Sequence, residues 1–300
     1  MLHDLRRVSE LGLWFAKVEA LGNDLVWLLD PAEVLTVQSY SRHAPALCDR
    51  HTGIGADGLV LWDGCESDPE LWFINADGSP AEVCGNGLRA IAVAGRDIGL
   101  FSQDEFAFRS GGIVFPVVVG GSGKPAAACL GLPGFPCDGA VEETLRGWGI
   151  TGMLVTMPNP HIVILDGPLD RGTRESLAVR SAGLLPGGAN VGFCAVQAGE
   201  LDLEVWERGV GWTRACGSGA AAAAAAALRR GALARGVTVV RQPGGTLRTW
   251  LDEQDRSWIE GDASLVFVGF MRACSPAHLG CAPEALHEDA GRNRGSSSVC

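Results

Sequence analysis

Short apolar stretches broken by glycine and proline run through most of the chain, and only a few segments carry the longer spacing of a helix. Strands are predicted at 13–20, 24–29, 58–62, 70–75, 112–119, 153–157, 161–165, 191–198, 201–206, 237–241, 246–251 and 257–261. Helices are predicted at 33–39, 87–98, 142–148, 169–181 and 219–234. Two of these are apolar almost all round: the helix containing LRAIAVAG, and the alanine run that leads to Arg229 and Arg230. Alanine lets strands approach closely, so both helices suit the centre of a sheet-wrapped domain better than a surface.

The same form of tetrapeptide opens both. Cys84-Gly85-Asn86-Gly87 precedes the first and Cys216-Gly217-Ser218-Gly219 the second, about half the chain apart. A strand stands before each motif and a helix follows it. The repeat predicts two related α/β domains that face one another.

A cysteine at a helix start feels the positive end of the macrodipole and unpaired backbone N–H groups. Such a site can lower a thiol pKa from about 8.5 into the range of roughly 3.5–7.5, and its amides can hold a carboxylate. Two such ends aimed at one cavity would set an amino-acid α-carbon between two sulfurs. Inverting that carbon needs a base on one face and an acid on the other, which a thiolate and a thiol supply. The helix dipoles would stabilise charge developing on the carboxylate.

Composition narrows the chemistry. Of 24 Lys plus Arg only Lys17 and Lys124 are lysines, so a Schiff-base residue for pyridoxal is in thin supply. Pyridoxal chemistry would have to depend on one of these two, or the enzyme would manage without pyridoxal. The ten cysteines, at 48, 65, 84, 129, 137, 194, 216, 274, 281 and 300, form no CxxC pair or zinc-binding spacing, so no metal is expected. A net charge of −11 gives no electrostatic reason to seek nucleic acid or anionic lipid. No signal peptide or membrane span is read from the sequence, and a reduced, cytoplasmic protein is expected. The polar segment 275–300 is expected to be a mobile tail.

With these readings in place, the segments FAKVEALGNDLVWLLD, LCDRHTGIGADGL, FINADGSPAEVCGNGLRAIA, MPNPHIVIL, ANVGFCAV and EVWERGVGWTRACGSGA resemble those of diaminopimelate epimerases, from about Phe15 to Phe270. The resemblance implies an α/β fold of the α+β type. Two pseudosymmetric domains, each a curved, mostly antiparallel sheet around a central helix, would enclose an active site in the cleft between them. The domains are expected at 13–128, completed by a strand near 265–272, and at 129–264. The implied activity is cofactor-independent interconversion of LL- and meso-2,6-diaminopimelate on the path to lysine and peptidoglycan, by a homodimer. Cys84 and Cys216 would be the acid/base pair, and backbone amides of Gly85, Asn86, Gly217 and Ser218 would hold the reacting carboxylate. Asn23 would sit near the reacting amino group. Asn75, Asn159, Asn190 and Arg208 would read the distal carboxylate, Glu207 the distal amine, and His161 would be a supporting residue.

Three positions depart from the family pattern: Gly58 where some relatives carry Gln, Pro158 for Gly and Trp212 for Glu. The last two adjoin predicted ligands, which leaves open a racemase of histidine or proline type on the same fold. A cysteine hydrolase with Cys84 as nucleophile and His51 or His161 as base is a further alternative, but it leaves Cys216 without a purpose.

Overall fold

The computed structural model describes residues 12–30, 34–120, 125–131, 134, 140–165 and 169–272. The tail at 275–300 and Lys124, Cys137, Cys274, Cys281 and Cys300 lie outside them. The first half runs β1 (Gly12–Ala20), β2 (Asn23–Leu28), α1 (Val34–Cys48), β3 (Gly58–Trp62), β4 (Leu71–Asn75), β5 (Pro80–Ala81), α2 (Gly85–Asp97), β6 (Glu105–Ser110), β7 (Ile113–Val119) and β8 (Ala126–Gly131). After α3 (Ala140–Gly147) the second half repeats that order. It runs β9 (Gly152–Thr156), β10 (Pro160–Ile164), α4 (Arg171–Ala182), β11 (Asn190–Gln197), β12 (Glu200–Glu207), β13 (Gly211–Trp212), α5 (Gly217–Arg229), β14 (Thr238–Gln242), β15 (Gly245–Leu251) and β16 (Ser257–Gly261).

Strand pairing repeats as well. β1–β2 and β9–β10 are antiparallel, while β2–β3 and β10–β11 are parallel across a crossover helix. A final strand, β17 (Ser264–Arg272), crosses back to lie antiparallel beside β1. One sheet has the order β17-β1-β2-β3-β4-β5; the other runs β6-β7-β8-β16-β15-β14-β12-β11-β10-β9. The protein is a mixed, sheet-rich α/β fold of two repeated domains.

Each repeat layers its sheet between an inner and an outer helix. In β2, Leu25 and Trp27 join the cluster around α2, while Val26 and Leu28 join the cluster around α1. In β10, Val163 faces α5 and Ile162 and Ile164 face the side of α4. Strands covered on both faces are apolar at successive positions, which explains the uninterrupted runs in the sequence. Alanine in α5 follows from this layering: Ala220, Ala222, Ala223 and Ala226 are fully buried, and a leucine at 222 would overpack the core at a cost of about 1–3 kcal/mol.

The helix limits correct the sequence reading where they matter most. α2 and α5 begin at Gly85 and Gly217, two residues earlier than predicted, so Cys84 and Cys216 are their N-caps. α5 stops at Arg229, not 234, because Gly231 takes φ +70 and returns its N–H to the Leu228 carbonyl. α1 extends to Cys48, past the predicted end at 39 and through Pro45. Strands β6 and β8 lie outside the predicted set; β8 is the alanine-rich AAACLG, whose burial comes from pairing with β16 and from α2 rather than from local β propensity.

Candidate active site

Period-two alternation carries the polar residues of interest to the inner face. Asn23 continues the face of Leu25 and Trp27, Asn75 that of Leu71 and Phe73, and His161 that of Val163. Asn190 shares a face with Cys194, and Glu207 with Leu203 and Val205. Each lies at or near a strand end, where the apolar face gives way to the starts of α2 and α5. Those starts meet over one side chain. A Cβ built on Gly85 or on Gly217 would each come within 2.7 Å of Ile259 Cδ1, so both turns need glycine to approach it. Between them the Asn86 carboxamide donates to the Ala215 carbonyl at 3.2 Å, from one domain to the residue before Cys216 in the other.

Cys84 is half-buried, and its thiol donates to Asn23 Oδ1 at 3.4 Å. Cys216 is buried; its sulfur accepts from Gly219 N at 3.3 Å and lies 3.5 Å from Ser218 Oγ, while its own N–H donates to Gln242 Oε1 at 2.8 Å. The helix-end argument predicted lowered thiol pKa values, and the structure reverses this. Burial pushes both thiols up, Cys216 well up, with the Glu207 carboxylate adding to the rise at each. Amides of Gly87 and Asn86 oppose the rise at Cys84, as do Ser218 and Gly219 at Cys216, but desolvation wins.

Glu207 is itself raised by burial, and its Oε1 accepts from Thr213 Oγ1 at 2.6 Å. His161 is fully buried and held neutral, its pKa pulled down to about 3 by burial. Its Nε2 lies 3.0 Å from Asn159 Oδ1 and 3.0 Å from Ser218 Oγ; the amide acceptor assigns the ring proton to Nε2. Asn190 Oδ1 accepts from Arg208 N at 2.9 Å, and Asn190 Nδ2 lies 3.5 Å from His161 Nε2. Cys216, Ser218, His161 and Asn159 therefore form one connected set, and the Asn190–Arg208 pair lies against it. Asn75 uses its Nδ2 to close its own turn on Ser79 Oγ at 2.9 Å.

Several residues with no role assigned from sequence complete the site. Asp57 Oδ2 accepts from Asn23 Nδ2 at 3.2 Å and so turns Asn23 Oδ1 towards Cys84; Arg50 in turn binds Asp57 and Asp24. Arg208 donates to Gly187 O at 2.6 Å and pairs with Glu82 at 2.8 Å across the two domains. Arg50, Asp57 and Glu82 all lie within the family-like segments, but spacing alone gave them no task. Gln242, from the β14–β15 hairpin, carried no signal.

Two of the three departures are explained locally, and nothing in the structure explains Pro158. A Cβ at Gly58 would meet the Ile74 carbonyl at 2.6 Å. Trp212 turns to the outer layer, against Phe193 at 5.5 Å and under the Arg171 guanidinium at 4.1 Å. Neither His51, exposed after α1, nor His161 hydrogen-bonds Cys84 among the described residues, so no cysteine–histidine dyad forms there. Among those residues no group of three His, Cys, Asp or Glu side chains gathers to hold a metal, and no helix is long and apolar enough to cross a membrane.

The family model described as diaminopimelate epimerase matches residues 15–117 and 153–266. The diaminopimelate epimerase of Erythrobacter litoralis is 35% identical over 268 residues, covering 85% of this chain and 96% of that protein. That of Caldanaerobacter subterraneus is 33% identical over 273 residues, with 85% and 98% covered. Among solved structures, a Bacillus anthracis phenazine biosynthesis protein of the PhzF family superposes with a TM-score of 0.65 at 14% identity, covering 86% of this chain and 98% of its own. A hydroxyproline epimerase from Agrobacterium vitis, with bound trans-4-hydroxy-L-proline, gives 0.63 at 13%, covering 90% and 95%. At such identities these two speak to the fold alone. The sequence matches reach further: they run through both cysteine turns and nearly the whole length of each relative, and the chain belongs to the diaminopimelate epimerase family, a family of isomerases.

Proposed function

We propose that this protein interconverts LL- and meso-2,6-diaminopimelate with Cys84 and Cys216 as alternating base and acid. The observation that carries the reading is the meeting of two cysteine-capped helix starts over Ile259. The reacting carboxylate sits on the backbone amides of Gly85, Asn86, Gly217 and Ser218, and the reacting amino group beside Asn23. One cysteine, as thiolate, takes the α-proton; the electron pair spreads into the carboxylate, where both helix ends stabilise it. The opposite thiol then delivers its proton to the other face, which leaves the second cysteine as thiolate. Raised thiol pKa values suit this task, because the carbon acid is far weaker than a thiol and a weakly acidic thiol is the stronger conjugate base.

At the far end, Arg208, Asn159 and Asn190 read the distal carboxylate, joined by Asn75 once its carboxamide leaves its own turn. Glu207 takes the distal ammonium. The Glu82 carboxylate pairs with the Arg208 guanidinium, and a distal carboxylate would compete for it. His161, neutral and bonded to both Asn159 and Ser218, links the distal reader to the Cys216 turn as a positioning residue. The halves 13–128 with 265–272, and 129–264, act as the two domains of a cytoplasmic, homodimeric enzyme that uses no cofactor.

The test is to incubate LL-diaminopimelate with chelator-treated, pyridoxal-free protein in deuterium oxide. Formation of meso isomer with one solvent-derived α-deuterium is expected. Turnover that appears only after pyridoxal phosphate or a divalent metal is added would overturn the reading. Equal efficiency on proline or histidine would favour a racemase instead.

A further inference from the structure

Arg89 lies on α2 just beyond the Cys84 turn and is fully buried. Its Nη2 donates to Asn86 Oδ1 at 2.6 Å, while Nε and Nη1 have no hydrogen-bond partner; Asp262 and Glu19 act on it only through space, with no ion pair among the described residues. Burial pulls its pKa down to about 10, which still leaves it charged at neutral pH. A buried charge without an ion-pair partner costs several kcal/mol, so the fold bears a penalty for keeping it. Space is reserved for it as well: a Cβ on Gly261, in the facing strand β16, would come within 2.5 Å of Arg89 Nη1.

The orientation of Asn86 depends on this guanidinium. With Oδ1 accepting from Arg89, the amide nitrogen is turned to the Ala215 carbonyl, the residue before Cys216. A flipped carboxamide would set NH₂ against the guanidinium and oxygen against a carbonyl, losing both bonds. The repeat has no second copy of this device: Ser218 stands in the place of Asn86 and Ala221 in that of Arg89. The strut runs from the first turn to the second, and from one domain to the other.

We propose that Arg89 is a positioning residue for epimerisation: by locking the Asn86 carboxamide onto Ala215, it fixes the spacing of the two cysteine turns, so that one α-carbon meets both sulfurs. This rests on the two-cysteine reading given above. If the spacing slackens, the base on one face still reaches the α-proton while the acid on the other face is misplaced. The carbanion then lives longer: the first cysteine loses the abstracted proton to solvent, takes up a deuteron, and returns that deuteron to the side the proton left.

The experiment compares wild type with Arg89→Met, Arg89→Lys and Asn86→Asp in deuterium oxide, following inversion and α-deuterium incorporation separately. Asn86→Asp keeps a partner for the guanidinium but cannot donate to Ala215, so it tests the strut apart from the charge. For Arg89→Met and Asn86→Asp, kcat for inversion is expected to fall about 10- to 100-fold, the loss for a displacement on the order of 1 Å. KM should change much less, and the ratio of exchange without inversion to inversion should rise. Arg89→Lys should recover part of the loss. Combining Arg89→Met with Asn86→Asp in one chain should add little to either single change, since both break the same strut. An unchanged exchange-to-inversion ratio in Asn86→Asp, or fully additive losses, would overturn the proposal even if Arg89→Met failed to fold. Absence of inversion in the wild type would instead overturn the epimerase reading.

Discussion

Cys84 and Cys216 cap equivalent helices with similar backbone angles, φ −105, ψ 114 and φ −127, ψ 113, yet their surroundings differ. Cys84 is half-buried and bonded to Asn23, which Asp57 and Arg50 orient from behind. Cys216 is buried, accepts its own helix's Gly219 N–H, and touches the Ser218–His161 network. Glu207 raises both thiols, Cys216 being the more strongly buried, while the Arg89 charge favours the thiolate at Cys84. Duplicated backbone thus supplies two like positions for sulfur, and unlike side chains make one the more readily ionised. The proposed reaction, which needs a thiolate and a thiol at once, would gain from that inequality.

The largest effects should come from removing either sulfur. Cys84→Ala and Cys216→Ala are each expected to lower epimerisation by about 10²–10⁴-fold with the circular dichroism spectrum retained. Near wild-type turnover in either variant would mean that the two halves do not share the reaction. Arg208→Ala should raise KM for diaminopimelate about tenfold, ~1.4 kcal/mol. That is less than the roughly 2–5 kcal/mol for truncating a buried charged partner, because this guanidinium is 38% exposed and solvent screens it. Steady-state kinetics that show no change in KM would remove the distal reader.

Asp57→Asn addresses the first half alone. With its acceptor weakened, Asn23 is free to turn, and a fall in kcat/KM of about three- to tenfold is expected; an unaltered value would show that Asn23 needs no support. Thiol labelling compares the halves directly. In substrate-free protein near neutral pH, alkylation read by peptide mass spectrometry should reach Cys84 several-fold faster than Cys216, with rates at both rising as pH rises. Cys65, whose thiol is lowered by hydrogen bonds from Ser67 and Asp68, should react before either. A faster Cys216 would invert the comparison.

The smallest expected effect concerns His161. Its folded pKa, about 3, lies below the ordinary value of about 6.5, so between these the unfolded chain binds the extra proton. Its contribution to stability is present above pH ~6.5 and is lost as pH falls towards ~3. Melting temperatures should therefore decline with acidity in that window, and His161→Gln should flatten the decline. An equally steep profile in the variant would place the sensitive group elsewhere.

The sequence exposed the repeat because local signals wrote it. Two CGxG turns, two alanine-rich helices and short apolar runs such as 161–165 needed only neighbouring residues to be read. Through motifs that match the family it also assigned Cys84, Cys216, Asn23, Asn190 and Glu207 to one site, and the structure sets Asn23 on Cys84 and Glu207 within electrostatic reach of both sulfurs. The pKa reading failed for a physical reason. A helix end is visible along the chain, but how much water reaches a sulfur depends on segments packed from far away, and desolvation outweighed the dipole. Strand β8 and the cross-domain partners were hidden likewise. Glu82 finds Arg208, and Asn86 finds Ala215, over more than a hundred residues of separation.

By itself, then, the sequence determined the α/β class, the two-fold repeat and the family, since periodicity and motif are properties of adjacent positions. Only the tertiary structure decided which way Asn23 and Asn86 point, that Trp212 faces outward, and that the two cysteines are unequal. Those outcomes depend on hydrogen bonds and burial between segments that meet only when the two domains close on Ile259.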